Sequence, residues 1–299
     1  MGFTARKLLV KNNKITWIQT SLPSSLPWNS VAYGNGIFVA VNGNSNLASL
    51  STDGGKTWSQ STLPSSASWR DVVFGGGVFM ACRLSGNETP SPSPAAIAYS
   101  STGSSWTQVS ISVSVSRLAY GNGRFVGFRD VSGNQMIYSS NNGVTWTTAS
   151  LPTSFACRAV TYGNGRFVAI GAGNSLYSND GITWVATSTA QNYSVAGVAY
   201  GNGRFVCVGI TGYGIYSDDG GETWTQFLLP STAINWRKVS YGNGIFVAPI
   251  LTNGFGYSNN GIDWQVSPMP SSNDWIPIGF GGGKFVALVS NTNIAAYTT

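Results

Sequence analysis

The stretch YGNGRFVAIG, from Tyr162 to Gly171, decides the fold because the chain repeats it. Six further copies occur in the sequence: YGNGIFVAV at Tyr33, FGGGVFMAC at Phe74, YGNGRFVGF at Tyr120, YGNGRFVCV at Tyr200, YGNGIFVAP at Tyr241 and FGGGKFVAL at Phe280. A series of tryptophans with similar spacing runs between them: Trp17, Trp58, Trp106, Trp146, Trp184, Trp224 and Trp264. The period of about 40 residues is that of four-stranded propeller blades. The two series therefore predict an all-β, seven-bladed propeller.

The glycines of the repeat predict a hairpin and not a phosphate-binding loop. Both central residues of a type I′ turn take positive φ, and Asn-Gly is the strongest sequence signal for that turn. A phosphate loop would be followed by a helix, whereas each copy continues with a strand pattern. In the sixth repeat we predict an innermost strand from Trp236 to Tyr241, a second strand from Ile245 to Ile250, a third ending at Tyr257 and an outer strand around Trp264.

The two ends of the chain complete one another. The last repeat has three predicted strands and no tryptophan strand, whereas the segment NNKITWIQTSLP from Asn12 supplies an outer strand without the three inner ones. We predict that residues 275–299 and 11–23 together form the seventh blade, which closes the ring and removes its exposed edges. The propeller then spans 11–299, and no blade requires residues 1–10, which we interpret as a docking segment.

Composition narrows the possible chemistry. Only 9% of the residues are charged, Gly is abundant at 38, and histidine is absent. The absence of histidine excludes Ser-His-Asp and Cys-His catalysis and His-ligated zinc. Cys82, Cys157 and Cys207 are widely separated, and two of them replace small apolar residues of sister repeats, so they are predicted to be buried hydrophobic side chains. We expect no metal and no cofactor.

The charge pattern limits the possible partners. Sixteen basic residues against ten acidic ones give a net charge of +6, but no Lys/Arg-rich run is present. Nucleic acid is therefore not an expected partner. The N-terminal residues lack the apolar core of an ordinary signal peptide, and no run approaches membrane-spanning length. We expect synthesis in the cytoplasm and no insertion into a membrane.

The turn before each tryptophan carries a family resemblance. STDGGKTW from Ser51, SSNNGVTW from Ser139 and SDDGGETW from Ser217 resemble the Asp-box of sialidases and other propellers, and shorter forms begin at Ser178 and Ser258. The resemblance implies a structural turn between the third and outer strands, formed around Asp53, Asn141, Asp180, Asp219 and Asn260. The combined repeat also resembles modules of bacteriophage tail and virion proteins and of bacterial surface proteins. It implies a location on a virus particle.

Basic residues recur near the start of the innermost strands and form the first candidate site. They are Arg70, Arg117, Arg158, Arg237 and Lys238. In a propeller these positions surround one end of the central channel, so the five cations should ring its mouth. Guanidinium groups bind carboxylates through two parallel hydrogen bonds, and such a ring could hold an anionic sugar or another carboxylate.

The loops on the same face supply further candidate contacts. We expect Tyr193, Tyr213, Asn87 and Asn134 to contribute to ligand binding, since aromatic rings and amides are typical of sugar sites. The two tyrosines have no equivalents in sister repeats. The tryptophans that begin innermost strands, at Trp28, Trp69, Trp236 and Trp275, are instead predicted to pack between blades.

Two classes of function remain open on sequence grounds. A hydrolase of sialidase type would need an acid/base pair, and Asp71, Glu88 and Asp130 are the candidates, but no Arg-Ile-Pro segment is present. A binding module needs no such pair. We predict a non-enzymatic binding module, a phage receptor-binding or decoration protein that recognises host surface glycan or a neighbouring virion protein. A glycoside hydrolase of sialidase type and a purely structural virion component are the alternatives.

Overall fold

A computed structural model describes residues 15–84, 95–189, 194–210, 212–230, 235–251 and 254–299. Strands joined by turns and loops occur along the whole of the described chain. In chain order these are β1 (Trp17–Leu26), β2 (Trp28–Gly34), β3 (Ile37–Asn42), β4 (Ser45–Ser51), β5 (Ser59–Ala67), β6 (Trp69–Gly75), β7 (Val78–Arg83), β8 (Ala96–Ser100), β9 (Thr107–Ser110), β10 (Arg117–Gly121), β11 (Arg124–Phe128), β12 (Gly133–Ser139), β13 (Thr147–Phe155), β14 (Ala159–Gly163), β15 (Arg166–Ile170), β16 (Asn174–Ser178), β17 (Val185–Ser188), β18 (Val195–Gly201), β19 (Arg204–Gly209), β20 (Tyr213–Ser217), β21 (Thr225–Leu228), β22 (Ser240–Gly242), β23 (Ile245–Ile250), β24 (Gly254–Ser258), β25 (Gln265–Pro268), β26 (Trp275–Gly281), β27 (Lys284–Val289) and β28 (Thr292–Thr298).

These strands form seven antiparallel sheets of four, as the sequence predicts. Blade 1 is β2 to β5, and each following group of four makes the next blade up to β22 to β25 in blade 6. Blade 7 has the order β1-β28-β27-β26, in which Trp17 pairs with Thr298 and Ile18 with Tyr297. The innermost strands contact one another around a full circle, from β2 through to β26 and back to β2. The predicted closure of the ring by the first strand is confirmed.

The alternation of hairpins and turns gives the disc two different faces. We call the face that carries the hairpins of the repeats the back face and the opposite one the front face. Each innermost strand runs from the front face to the back face and ends at its hairpin. The second strands return to the front, and the third strands run to the back again, where they meet the turns that precede the outer strands. In the hairpins, Asn164 and Gly165 have φ values of 50° and 78°, as a type I′ turn requires. The front face therefore holds the loops between blades and those between second and third strands.

The first glycine of each repeat has a separate role that concerns packing. A Cβ atom added to Gly121 would lie 2.0 Å from Cγ of Tyr162, the aromatic residue of the next repeat. The same contact occurs at every blade junction: Gly34 with Phe74, Gly75 with Tyr120, Gly163 with Tyr200, Gly201 with Tyr241, Gly242 with Phe280 and Gly281 with Tyr33. Each aromatic ring thus lies on the backbone of the preceding blade, and the seventh contact returns to the first blade.

The hydrophobic core is divided among the blade junctions. Among the described residues, buried side chains form seven clusters, each shared by two neighbouring blades. Trp28, Trp69, Trp236 and Trp275 are buried in four of these clusters, as predicted. Cys82, Cys157 and Cys207 are buried and unpaired, again as predicted. Burial raises the pKa of the Cys157 thiol to about 12, so this residue behaves as an apolar side chain.

One strand differs from its prediction. In the sixth repeat the innermost strand extends only over β22 (Ser240–Gly242), and Trp236 is joined to the sheet by a single bridge to Ile250. The intervening Arg237 still donates its backbone N–H to the Pro249 carbonyl over 3.0 Å. Pro249 has no N–H of its own to return, so the ladder of hydrogen bonds is interrupted here.

Candidate functional site

The five predicted cations line one cavity at the front end of the channel. This cavity, which we call the mouth, has a volume of about 380 Å³. The cations that line it are Arg70 from blade 2, Arg117 from blade 3, Arg158 from blade 4, and Arg237 and Lys238 from blade 6. Below it lies the channel, a cavity of about 330 Å³ lined by the innermost strands, to which Arg117, Arg158 and Lys238 also contribute. The fold therefore brings together residues that are far apart in the sequence.

Asp71 lies buried in the channel wall and accepts hydrogen bonds from several blades. Its Oδ1 accepts from the Ser30 hydroxyl over 2.7 Å and lies 3.4 Å from Nζ of Lys238. Its Oδ2 accepts from the Leu118 backbone N–H over 3.1 Å. Lys238 Nζ also donates to Ser30 Oγ over 3.1 Å. This network links blades 1, 2, 3 and 6 across the channel, and it provides Lys238 with a counter-charge.

Asp71 is the one carboxylate among the described residues that line the mouth and the channel. Five cations against one carboxylate leave four positive charges uncompensated in a concave site. Concave walls of low dielectric strengthen the field of such a cluster, so the mouth attracts anions more strongly than the modest net charge of the chain suggests.

Arg117 is held in place by the backbone. Its Nε donates to the Arg158 carbonyl over 2.7 Å, and one terminal nitrogen donates to the Ser116 carbonyl over 2.8 Å. Two fixed bonds leave the guanidinium with little rotational freedom to lose when a ligand arrives. Arg70 and Arg158 are more exposed to solvent than Arg117, and both lie on the front face.

Of the other four predicted ligand residues, the structure describes Tyr213 and Asn134, and neither lines the mouth. Tyr213 begins β20 on the front face of blade 5, outside the cavity, with about a third of its surface exposed. Asn134 is exposed in β12 of blade 3 and also lies outside the cavity. Tyr193 and Asn87 lie outside the described residues, as do Glu88 and the proposed docking segment 1–10. Asp130 is not among the residues that line the mouth or the channel, so the structure does not join it to Asp71.

Sequence reasoning did not assign Asn29 and Ser30 to the site, and it considered Asp71 only as an acid or base. Asn29 lines the mouth and donates its side-chain N–H to the Trp69 carbonyl over 2.8 Å. Aligning the repeats on their YGNG or FGGG motifs could have found all three. Asn29 then occupies the position of Arg70 and Arg237, and Ser30 that of Asp71 and Lys238.

The turns of the back face hold their acidic residues in local hydrogen bonds. The Asp53 carboxylate accepts from the backbone N–H of Lys56 and of Thr57, and from the Ser51 hydroxyl over 2.9 Å. Asp219 makes the same bonds with Glu222, Thr223 and Ser217, and related bonds occur at Asn141, Asp180 and Asn260. Although partial desolvation opposes ionisation, the hydrogen bonds outweigh it and lower the pKa of Asp53 and of Asp219 to about 2.

The described ranges contain no group of three or more histidine, cysteine, aspartate or glutamate side chains placed to hold a metal ion. No helix with the length and apolarity needed to cross a membrane occurs in them either.

Comparison with known proteins agrees with this architecture. A family model described as DUF6242 beta propeller domain matches residues 122–239. The chain is a seven-bladed β-propeller. A comparison with curated protein sequences gives no match.

Solved structures show the same fold at low sequence identity. The structure of YCF48 bound to D1 peptide is 17% identical, with a TM-score of 0.75 over 95% of this chain and 94% of that one. A virginiamycin B lyase from Staphylococcus aureus with quinupristin is 14% identical, with a TM-score of 0.78 over 96% and 100%. The Pan2 WD40 domain of Neurospora crassa is 8% identical, with a TM-score of 0.73 over 94% and 95%. Identities this low concern the fold and not the chemistry of the site.

Proposed function

We propose that the propeller is a non-enzymatic binding module whose mouth holds an anionic group of another molecule. The observation that supports this proposal is the convergence of Arg70, Arg117, Arg158, Arg237 and Lys238 on one cavity. Only Lys238 of these five has a carboxylate partner in the mouth or the channel, as far as the described residues go. Arginines without a counter-charge in a concave site are suited to bind carboxylate, sulfate or phosphate groups.

Binding is favoured over glycoside hydrolysis because hydrolysis needs two carboxyl groups about 5 to 10 Å apart. Among the described residues that line the mouth and the channel, Asp71 is the single carboxylate, and it already accepts hydrogen bonds from Ser30 and Leu118. The same bonds that fix Asp71 make it a structural support for Lys238. The location on a virus particle, as a receptor-binding or decoration protein, stays a prediction from the style of the repeats.

The test compares two pairs of arginines on opposite faces. Arg70→Gln/Arg158→Gln removes two charges from the mouth, and Arg124→Gln/Arg166→Gln removes two charges from the back face. A fluorescent heparin hexasaccharide and a fluorescent 20-residue polyglutamate serve as probes in a binding titration. We expect the front-face variant to bind the polyanions at least tenfold more weakly than the unmodified protein, and the back-face variant to differ from it by less than twofold.

Two results would overturn this proposal. Equal losses in the two variants would show that binding follows net charge and not the mouth. Turnover of a fluorogenic sialoside that disappears in Asp71→Ala, with folding retained, would show that the protein is an enzyme.

A further inference from the structure

Among the described residues, blades 1, 5 and 7 contribute no cation to the mouth, and blade 5 is the one of these that lies between two blades that do. Where other repeats carry Arg70, Arg158 and Arg237, blade 5 carries Ala196, and the next position is Gly197. The neighbouring blades 4 and 6 contribute Arg158 and Arg237 to the same cavity. The short side chain of Ala196, which lines the mouth, leaves an opening between the two arginine side chains, whereas Gly197 packs against the backbone of blade 6, where a Cβ would lie 2.8 Å from Cα of Lys238. A ligand held in the mouth can therefore leave it sideways across the front face of blade 5.

The surface beyond this opening is apolar and exposed. Ile210 lines the mouth and is 38% exposed, Tyr213 is 36% exposed, and Leu228 is 65% exposed. They follow the ends of successive strands outward, because Ile210 comes after β19, Tyr213 begins β20 and Leu228 ends β21. Tyr213 and Leu228 are direct cross-strand partners. We call these three residues the blade 5 track.

Backbone hydrogen bonds fix the blade 5 track. The Ile210 N–H donates to the Ser194 carbonyl of the mouth over 3.0 Å, and the Leu229 N–H donates to the Gly212 carbonyl over 3.0 Å. Ile210 is thereby attached to the residue before the innermost strand, and Gly212 to the residue after the outer strand. A surface held in this way needs little ordering when a partner binds, which favours affinity.

The chemistry of the track favours a polypeptide over a glycan. Ile210 and Leu228 are aliphatic and offer no hydrogen bond to a sugar hydroxyl. The tryptophans that begin innermost strands, which could have stacked on sugar rings, are buried. Tyr213 is the one aromatic residue among the exposed large hydrophobic residues of the described part of the chain. Apolar side chains of a peptide are the natural complement of such a surface.

We propose that the mouth and the blade 5 track together bind an extended peptide segment that carries an acidic side chain followed by apolar ones. This proposal rests on the proposed function, since the acidic side chain is the anionic group held between Arg158 and Arg237. Strands of a sheet lie about 4.8 Å apart, so the path from the innermost to the outermost strand measures about 14 Å. At about 3.3 Å per residue this is roughly four residues of extended chain.

The test uses synthetic fluorescent octapeptides in which a pair of glutamates is separated from a pair of leucines by zero, two or four residues. A second set has serines in place of the leucines. We expect the leucine peptide whose groups are spaced to match the path, about four residues, to bind at least tenfold more tightly than its serine counterpart. Tyr213→Ser/Leu228→Ser, which alters the two track residues outside the mouth, should abolish this difference and leave binding of the serine peptide unchanged.

Controls separate this proposal from the one on which it rests. Val185→Ser alters an outer-strand residue at the back of blade 4 that is 45% exposed, and it should change nothing. Leu228→Ser alone, at the most exposed position, guards against misfolding of the double variant and should lose part of the preference. Arg70→Gln/Arg158→Gln should weaken both peptide sets.

Two outcomes overturn the peptide proposal while the anion-binding mouth remains. In one, leucine and serine peptides bind equally, and both depend on the arginines. In the other, the heparin hexasaccharide or vesicles with phosphatidylserine bind in an arginine-dependent manner and the leucine peptides do not. If no probe depends on the arginines, the proposed function itself fails.

Discussion

The two faces of the disc show how one repeat serves two purposes. On the back face, equivalent positions hold equivalent contacts, such as the acceptor bonds of Asp53 and Asp219 and the aromatic ring on each junction glycine. On the front face, equivalent positions hold different residues, such as Arg70, Ala196 and Ile276. Repetition is therefore retained where blades are joined, and variation is concentrated where a ligand can be reached. We expect back-face substitutions to change stability and front-face substitutions to change binding.

The largest effect on stability is expected at a junction glycine. Gly121→Ala places a methyl group 2.0 Å from the Tyr162 ring, and we expect a loss of about 3 kcal/mol, the upper range for overpacking. Gly123→Ala in the same hairpin is the matched control, because a Cβ there meets nothing within 4 Å and the cost arises from its φ of 72° alone. We expect about 1 kcal/mol for that control. Urea unfolding measures both, and equal losses would refute the packing role.

A smaller effect is expected from the acidic residues of the back-face turns, and it depends on pH. Because the folded pKa of Asp53 and Asp219 is about 2, below the usual value of an aspartate, ionisation stabilises the fold above pH 4. This contribution is lost as the pH falls from about 4 to 2. Both residues are exposed, so screening by solvent keeps the contribution of each below about 1 kcal/mol.

Asparagine offers a matched test of that pH dependence, since Asn141 and Asn260 already occupy the equivalent position in two other turns. Asp53→Asn/Asp219→Asn should be slightly less stable than the unmodified protein at pH 7 and should lose less stability on acidification to pH 2.5. Urea midpoints of the variant and of the unmodified protein are measured at both pH values. The other carboxylates affect both proteins equally, so the difference between the two proteins reports on Asp53 and Asp219. An unchanged pH profile would show that these turns do not stabilise through ionisation.

The smallest effect on stability is expected on the front face. Arg70→Gln/Arg158→Gln removes two exposed charges that lie close to other cations, and we expect a change of less than about 0.5 kcal/mol. The same variant is the one expected to lose polyanion binding. A stability loss above about 2 kcal/mol would show that the mouth belongs to the framework and would break the contrast between the faces.

The sequence predicted the architecture well because the information is repeated. Seven copies of one motif indicate blade number, hairpin type and ring closure, and no single copy needs to be unambiguous. The position of the five cations was also predictable, since it follows from their place in the repeat. The junction glycines were interpreted as hairpin residues only. Each of these glycines contacts an aromatic residue of the next blade, as Gly121 contacts Tyr162. The sequence pattern within one repeat does not show a contact between two repeats.

The finer parts of the site were less accessible to prediction. The role of Asp71 depends on Ser30, Leu118 and Lys238, which come from three other blades. The blade 5 track depends on which apolar side chains remain exposed at strand ends, and Ile210 and Leu228 do not differ in type from core residues. The interrupted strand before Ser240 follows from Pro249 on its partner, a signal that was visible in the sequence.

The pairing of β1 with β28 also governs how the molecule is made. The partner of Trp17 is Thr298, so the first strand emerges from the ribosome long before its neighbour exists. At about 5 to 20 residues per second, synthesis of the intervening chain takes on the order of tens of seconds. Throughout that interval β1 has no hydrogen-bonded partner strand, although the six blades that follow it in the sequence can already form. The circle consequently closes only after β28 has been synthesised, and until then the nascent protein is an open arc.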